Sequence, residues 1–195
     1  MKVDVELVKQ IREKTSASVI ECKKALEEAG GDTEKALEIL KKRGLLISQK
    51  KAQRETKEGL IGAYIHTNGK VGVLIEVNTE SDFVARNEEF KELVKNLTLQ
   101  IAASSPKWVD KESIPPDILE QEKQVYREQF KDKPPAVIEK IVEGKMQDFY
   151  KENVLLEQVF VKDENITVKE YIDSRIAKFG ENIKVRRFVK YELGE

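Results

Sequence analysis

The chain has a single cysteine and a single histidine among its 195 residues. With Cys22 alone it can close no intramolecular disulfide and build no cysteine-based zinc site. His66 has neither a second histidine nor a nearby serine nucleophile, so a partner contact or an edge-packing role suits it better than catalysis. Long apolar runs are missing too. None approaches the roughly 20 residues that a membrane span requires. The opening Met1-Lys2-Val3-Asp4-Val5-Glu6 alternates charged and apolar residues, without the apolar region of a signal peptide. Charge of one sign is not in excess, since 35 Lys and Arg face 36 Asp and Glu. Nucleic-acid binders usually rely on a basic excess to neutralise phosphates, and no generally cationic surface is available here. A phosphate loop of the form G-x-x-x-x-G-K-[ST], a metal cluster and a nucleophile–base pair are also lacking, so an enzyme is not expected. These absences leave a soluble, cytoplasmic protein with protein partners, no cofactor, no metal, and no membrane or direct nucleic-acid contact.

What is present begins with helix signals. Asp4 is a plausible N-cap for a first helix carrying Leu7, Val8 and Ile11 on one side. Ser18-Val19-Ile20-Glu21 has the S-x-x-E form of a capping box. The helix it opens has Cys22, Ala25, Leu26 and Ala29 at i, i+3, i+4, i+7, a buried stripe. Gly30-Gly31 ends that helix, Asp32 caps a third with Ala36, Leu37 and Leu40, and Gly44 stands where a left-handed C′ residue belongs. Residues 1–44 therefore read as a three-helix module on a tether. Cys22 lies on its apolar face, as core. Ile20 sits about 120–180° from the centre of the buried stripe at 100° per residue. It points outward beside Lys23 and Lys24, either as a stray exposed residue or as the apolar centre of a partner surface with a cationic rim. Residues 45–58 form a Lys/Arg-rich linker without proline, partly helical, either solvated or a contact strip.

The middle of the chain reads as a hairpin followed by a helix. Runs 59–66 and 70–77 flank Asn68-Gly69, the dipeptide favoured in a type I′ turn. Pairing places Tyr64 opposite Val73 and His66 opposite Val71, with Leu60, Tyr64, Val71, Val73, Ile75 and Val77 on one apolar face. Further on, Asn87 can cap a helix that buries Phe90, Leu93, Val94, Leu97 and Ile101. Between strand and helix stands Ser81-Asp82-Phe83-Val84. Such a loop should be polar, yet it carries Phe83 and Val84. Phe83 either tucks under the helix as core or is a rigidly held wedge that buries in a partner.

In the C-terminal half, Pro115-Pro116 and Pro134-Pro135 each open a helix. Thr167-Val168-Lys169-Glu170 has the form of a second capping box, with Val168, Ile172, Ile176 and Phe179 buried before Gly180. Residues 183–191 read as a strand. Arg186-Arg187 is either a basic contact or a solvated or internally paired couple. Helices and strands come in separate runs, so residues 59–195 are expected to form an α+β core with an antiparallel sheet.

Two stretches resemble signatures of bacterial elongation factor Ts in its short form. The first is Ile11-Arg12-Glu13-Lys14-Thr15-Ser16-Ala17-Ser18-Val19-Ile20-Glu21-Cys22-Lys23-Lys24-Ala25-Leu26, and the second Glu76-Val77-Asn78-Thr79-Glu80-Ser81-Asp82-Phe83-Val84-Ala85-Arg86. The ending, with Asn182, Arg186, Arg187 and Phe188 and then Tyr191-Glu192-Leu193-Gly194, is similar as well. The chain departs from the family where serines stand at 16 and 18 for glycines, Val19 and Ile20 for frequent methionines, and Ser81 for a threonine. The resemblance implies a guanine-nucleotide exchange factor for elongation factor Tu in translation elongation, acting as a homodimer. It implies a ubiquitin-associated-like N-terminal bundle that docks on the GTPase through Arg12, Val19, Ile20 and Lys23. It also implies that Ser81, Asp82, Phe83 and Val84 enter between helices of the GTPase and disturb its magnesium site. Two rival readings remain from the residues alone: an adaptor without effect on nucleotide release, and RNA binding through residues 50–57, which would show as steep salt dependence.

Overall fold

The structure is a computed structural model, and residues 4–15 and 17–194 are described. Among the described residues eight α-helices and five strands follow in the order α1 (Val5–Thr15), α2 (Val19–Glu28), α3 (Thr33–Lys51), β1 (Glu58–Ile65), β2 (Val71–Thr79), α4 (Asp82–Ala85), α5 (Glu88–Ser104), α6 (Pro116–Gln129), α7 (Pro135–Asn153), β3 (Val159–Phe160), β4 (Asp163–Thr167), α8 (Val168–Phe179) and β5 (Ile183–Glu192). The expected α+β class holds. β2 is the central strand of a three-stranded sheet ordered β1-β2-β5, and β3 and β4 form a separate antiparallel pair. The chain divides into two compact units, one of Met1–Gly62, Glu76–Val94 and Lys169–Val185, the other of Ala63–Ile75, Lys95–Val168 and Arg186–Glu195.

The first unit begins with the three-helix module. Ile11, Cys22, Ala25, Leu26, Ala36 and Leu40 form its core, with Leu7, Val8, Ala29 and Leu37 packed against it. The capping box of α2 is made in both directions, Ser18 Oγ accepting the Glu21 amide hydrogen and the Glu21 carboxylate accepting that of Ser18. At its other end Gly31 N–H reaches Leu26 O at 2.8 Å and Gly30 N–H reaches Glu27 O at 3.2 Å. This is the paired closure that lets a helix stop on a left-handed residue, and Gly30 has φ 65°. Asp32 Oδ1 then accepts from Glu34 and Lys35 amides, starting α3.

The third helix does not stop at Gly44. It continues to Lys51, and Gly44 lies opposite Ala177 on α8. A glycine inside a helix costs about 1 kcal/mol, a penalty that tertiary contacts outweigh here. Lys41 pairs with Glu170 at 2.7 Å, Ser48 Oγ donates to Asp173, and Lys51 donates to the carbonyl of Gly180.

The hairpin has the expected register and an unexpected turn. His66 N–H donates to Val71 O at 2.8 Å, and Val73, Ile75 and Val77 are buried. Gly69 alone of the turn pair has positive φ, at 69°, so the turn is not type I′. Pairing His66 with Val71 leaves four residues to connect, and Gly69 N–H closes the turn onto His66 O. Four-residue loops are built around a type I turn, and Asn68 Oδ1 accepts the Lys70 amide hydrogen to hold it.

In the second unit α6 and α7 form a helical hairpin over Ile114, Val142, Met146, Phe149 and Val154. Arg127 bridges it to Glu139 at 3.0 Å. The β3–β4 pair was not foreseen from sequence. It is held to α5 by buried Gln100, whose Oε1 accepts the Val161 amide hydrogen at 2.8 Å and whose Nε2 donates to Val159 O at 3.1 Å.

Candidate partner-binding site

The segment after β2 folds into one helical turn because Ser81 caps it. Ser81 has extended backbone, φ −127° and ψ 155°, and its Oγ accepts the Val84 amide hydrogen at 3.4 Å. Arg86 N–H then reaches Asp82 O, and Asn87 N–H reaches Val84 O, each at 3.0 Å. Asn87 Oδ1 accepts from Glu89 at 2.8 Å and starts α5, as its position suggested. This turn buries Ala85 and turns Phe83 outward, 84% exposed. The core reading of Phe83 is therefore overturned. Asp82 Oδ2 pairs with Arg86 Nη2 at 2.9 Å, with the arginine side chain 80% exposed. An exposed pair of this kind contributes at most about 1 kcal/mol, so an incoming group can displace it at small cost.

The loop is tied down from the turn between α8 and β5. Glu181 Oε1 accepts from Ser81 Oγ at 2.6 Å, and its Oε2 accepts from Ser81 N–H and from Thr79 Oγ1, both at 3.0 Å. Burial alone would raise the Glu181 carboxyl, but these hydrogen bonds hold it below the usual carboxylate range. Beside it, Asn182 N–H donates to Glu80 Oε1 at 2.6 Å, and Asn182 Nδ2 donates to the carbonyls of Ala52 and Arg54. Arg54 also pairs with Glu80 at 3.4 Å. Sequence reasoning did not single out Glu181 or Glu80. The signal was weak: two acidic residues, one at the end of a strand and one after a helix-stopping glycine.

On the module, Val19 and Ile20 open α2 and are 52% and 68% exposed. Arg12 on α1 and Lys23 on α2 are exposed as well. Ile20 therefore faces outward as its helical angle requires, whereas Cys22 is fully buried and burial pushes its thiol pKa up. The four module residues lie on α1 and α2, and the four loop residues on the turn after β2. His66 is exposed, with the Tyr64 hydroxyl 2.8 Å from its Nδ1, and Arg186 and Arg187 lie exposed on β5.

A family model described as elongation factor TS matches residues 3–195. Among similar curated proteins, an elongation factor Ts of Fervidobacterium nodosum is 56% identical over 197 residues, covering 100% of both chains. One of Thermotoga neapolitana is 54% identical over 195 residues, covering 100% of this chain and 99% of its own. A third, of Coprothermobacter proteolyticus, is 54% identical over 197 residues, again covering 100% of both.

Proposed function

The chain belongs to the elongation factor Ts family, and from that premise we propose that it is a guanine-nucleotide exchange factor that binds elongation factor Tu carrying GDP and promotes GDP release during translation elongation. Arg12, Val19, Ile20 and Lys23 dock the module on the GTPase. The Ser81–Val84 loop then inserts and disturbs the magnesium site, with Phe83 as the wedge and Asp82 acting on groups near the ion. One observation carries this reading: a large aromatic in a capped, braced turn stands 84% exposed. A side chain so placed adds nothing to the stability of the free chain but gains roughly 1.5–3 kcal/mol when buried in a partner.

The mechanism is linkage. A factor that binds the nucleotide-free GTPase more tightly than the GDP-bound form weakens GDP binding by the same ratio. Phe83 is buried only in the rearranged partner, so its burial energy favours that state alone. Loss of the partner's magnesium removes the charge that shields the nucleotide phosphates, and GDP departs. No covalent bond is made or broken, and the direction of exchange follows the nucleotide supply. Residues 1–44 act as the docking module, α3 carries the chain on through Lys51 to a short connection before β1, and residues 59–195 carry exchange and self-association.

Homodimerisation belongs to the same proposal. In the second unit, Ile65, Leu74, Val189, Tyr191 and Leu193 on or beside β1, β2 and β5 are all exposed, Ile65 by 68% and Tyr191 by 71%. Clustered exposed apolar residues mark an interaction surface, and a second copy presents the same patch about a two-fold axis.

The test is release of a fluorescent GDP from a bacterial elongation factor Tu at saturating unlabelled nucleotide. Acceleration that rises with the concentration of this protein is expected. Unchanged release from an active partner would leave an adaptor and remove the mechanism.

A further inference from the structure

An aromatic that must enter a partner has to be held, because a mobile side chain loses conformational entropy at the moment of insertion. The turn that bears Phe83 cannot hold itself. α4 has four residues, far fewer than a helix needs to be stable alone. The hold comes from a carboxylate about a hundred residues away in the chain. Glu181 accepts three hydrogen bonds, two of them from Ser81 and one from Thr79 at the end of β2. The same Ser81 hydroxyl caps α4 by accepting from Val84. One side chain thus fixes the end of β2, the cap, and through the cap the direction in which Phe83 leaves the backbone. Asn182, its neighbour, closes the other flank by donating to Glu80.

We infer that Glu181 is the positioning residue of the exchange loop, holding Ser81 so that Phe83 projects in one fixed direction before the partner arrives; this rests on the loop-insertion reading above. In this reading Glu181 acts through its hydrogen bonds to Ser81 and Thr79 and not on the nucleotide or the ion. Its removal therefore acts on the step in which Phe83 inserts and leaves docking by α1 and α2 in place.

The experiment measures fluorescent GDP release from elongation factor Tu over a range of concentrations of the full-length protein, with Phe83→Ala run alongside. Hydrogen exchange of the Ser81 amide is read in the free protein. Glu181→Ala is expected to lower the maximal release rate about tenfold and to change the half-saturating concentration by less than about twofold, because hydrogen bonds to a charged group are lost from the loop alone. The Ser81 amide should lose protection while amides within α8 keep theirs. In Glu181→Gln the amide carbonyl can accept from Ser81 N–H and Thr79 Oγ while its NH2 donates to Ser81 Oγ, so the rate returns to within about threefold. Glu181→Ala at the wild-type rate with Phe83→Ala slow overturns the positioning role and leaves the insertion reading standing. Phe83→Ala at the wild-type rate overturns the insertion reading and the role of Glu181 with it. Glu181→Gln as slow as Glu181→Ala overturns the hydrogen-bonding account. Should Glu181→Ala not fold, Ser81→Ala removes the hydroxyl and keeps the carboxylate, and a wild-type rate from it overturns the proposal.

Discussion

Among single residues, Phe83 and Ile20 combine high exposure with an apolar side chain. Phe83 contacts too little of its own chain to stabilise it, so Phe83→Ala should change unfolding free energy by no more than about 0.5 kcal/mol. Nucleotide release should nonetheless fall by about tenfold or more, the usual consequence of truncating a central aromatic. Chemical denaturation and fluorescent GDP release, measured on one preparation, separate the two effects. Ile20→Asp places a charge at the centre of the module's exposed apolar spot. It should weaken binding to elongation factor Tu about tenfold with the melting temperature unchanged, and titration calorimetry showing wild-type affinity would remove the module contact. Glu181 adds a pH dependence. Its carboxyl lies below the ordinary 4.5, burial opposing and hydrogen bonds outweighing. A group depressed in the folded state contributes its stability above the unfolded value and loses it as pH falls through the folded value. The Ser81 amide resonance should therefore hold steady above about pH 4.5 and shift only at lower pH; a midpoint above that value would contradict the hydrogen-bonded carboxylate.

Elements show where a local signal is enough and where it is not. α2 carries its start and stop within fourteen residues of chain: Ser18 and Glu21 cap one end, and Gly30 with Gly31 closes the other. Both ends were legible, because capping is a matter of hydrogen bonds between neighbours. α3 is the contrary case. Gly44 has the position of a terminus, but α8 pairs Glu170 with Lys41 before the glycine and Asp173 with Ser48 after it, and the Gly180 carbonyl just beyond α8 takes Lys51, and no periodicity within α3 reports that. At the start of β1, Gly59 has φ 153°, and a Cβ there would lie 2.2 Å from Val77 O on the paired strand. Gly59→Ala should destabilise the protein by at least about 2 kcal/mol. Gly69→Ala, in the turn with open space around it, should cost only about 1 kcal/mol. Urea midpoints that place the two variants in the opposite order would contradict the close strand approach.

For the molecule as a whole, the second unit's exposed apolar residues bear on assembly. Leu74 lies on the central strand and is 47% exposed. Leu74→Lys should convert a dimer to a monomer at micromolar concentration, as sedimentation equilibrium would show, because a charge buried in a self-facing patch meets its own copy. A wild-type protein that sediments as a monomer would remove the dimer proposal. Neither compact unit is a continuous piece of chain, each being drawn from three stretches. The module at the N-terminus is built from sequential neighbours, with its core contributed by residues 11–40, and so is the α6–α7 hairpin, whose core comes from residues 114–154.

The sequence by itself determined the features that depend on neighbours within a turn or two: the capping box and glycine stop of α2, the stripes of α2 and α5, the hairpin register, and the outward angle of Ile20. It also carried the two signature stretches through which the family is legible. Tertiary structure alone decided the rest. Whether Phe83 was buried or exposed could not be read from its composition or spacing, since an apolar residue in a loop is compatible with both; the Ser81 cap turned it to solvent. Glu181 could not be found because its partners lie about a hundred residues away, and Gln100, in the middle of an apolar stripe, reads as an error until the β3–β4 backbone that it satisfies is in place. Buried polar groups are stabilised by partners that folding supplies, and residues of that kind have no meaning in the chain until the chain has folded.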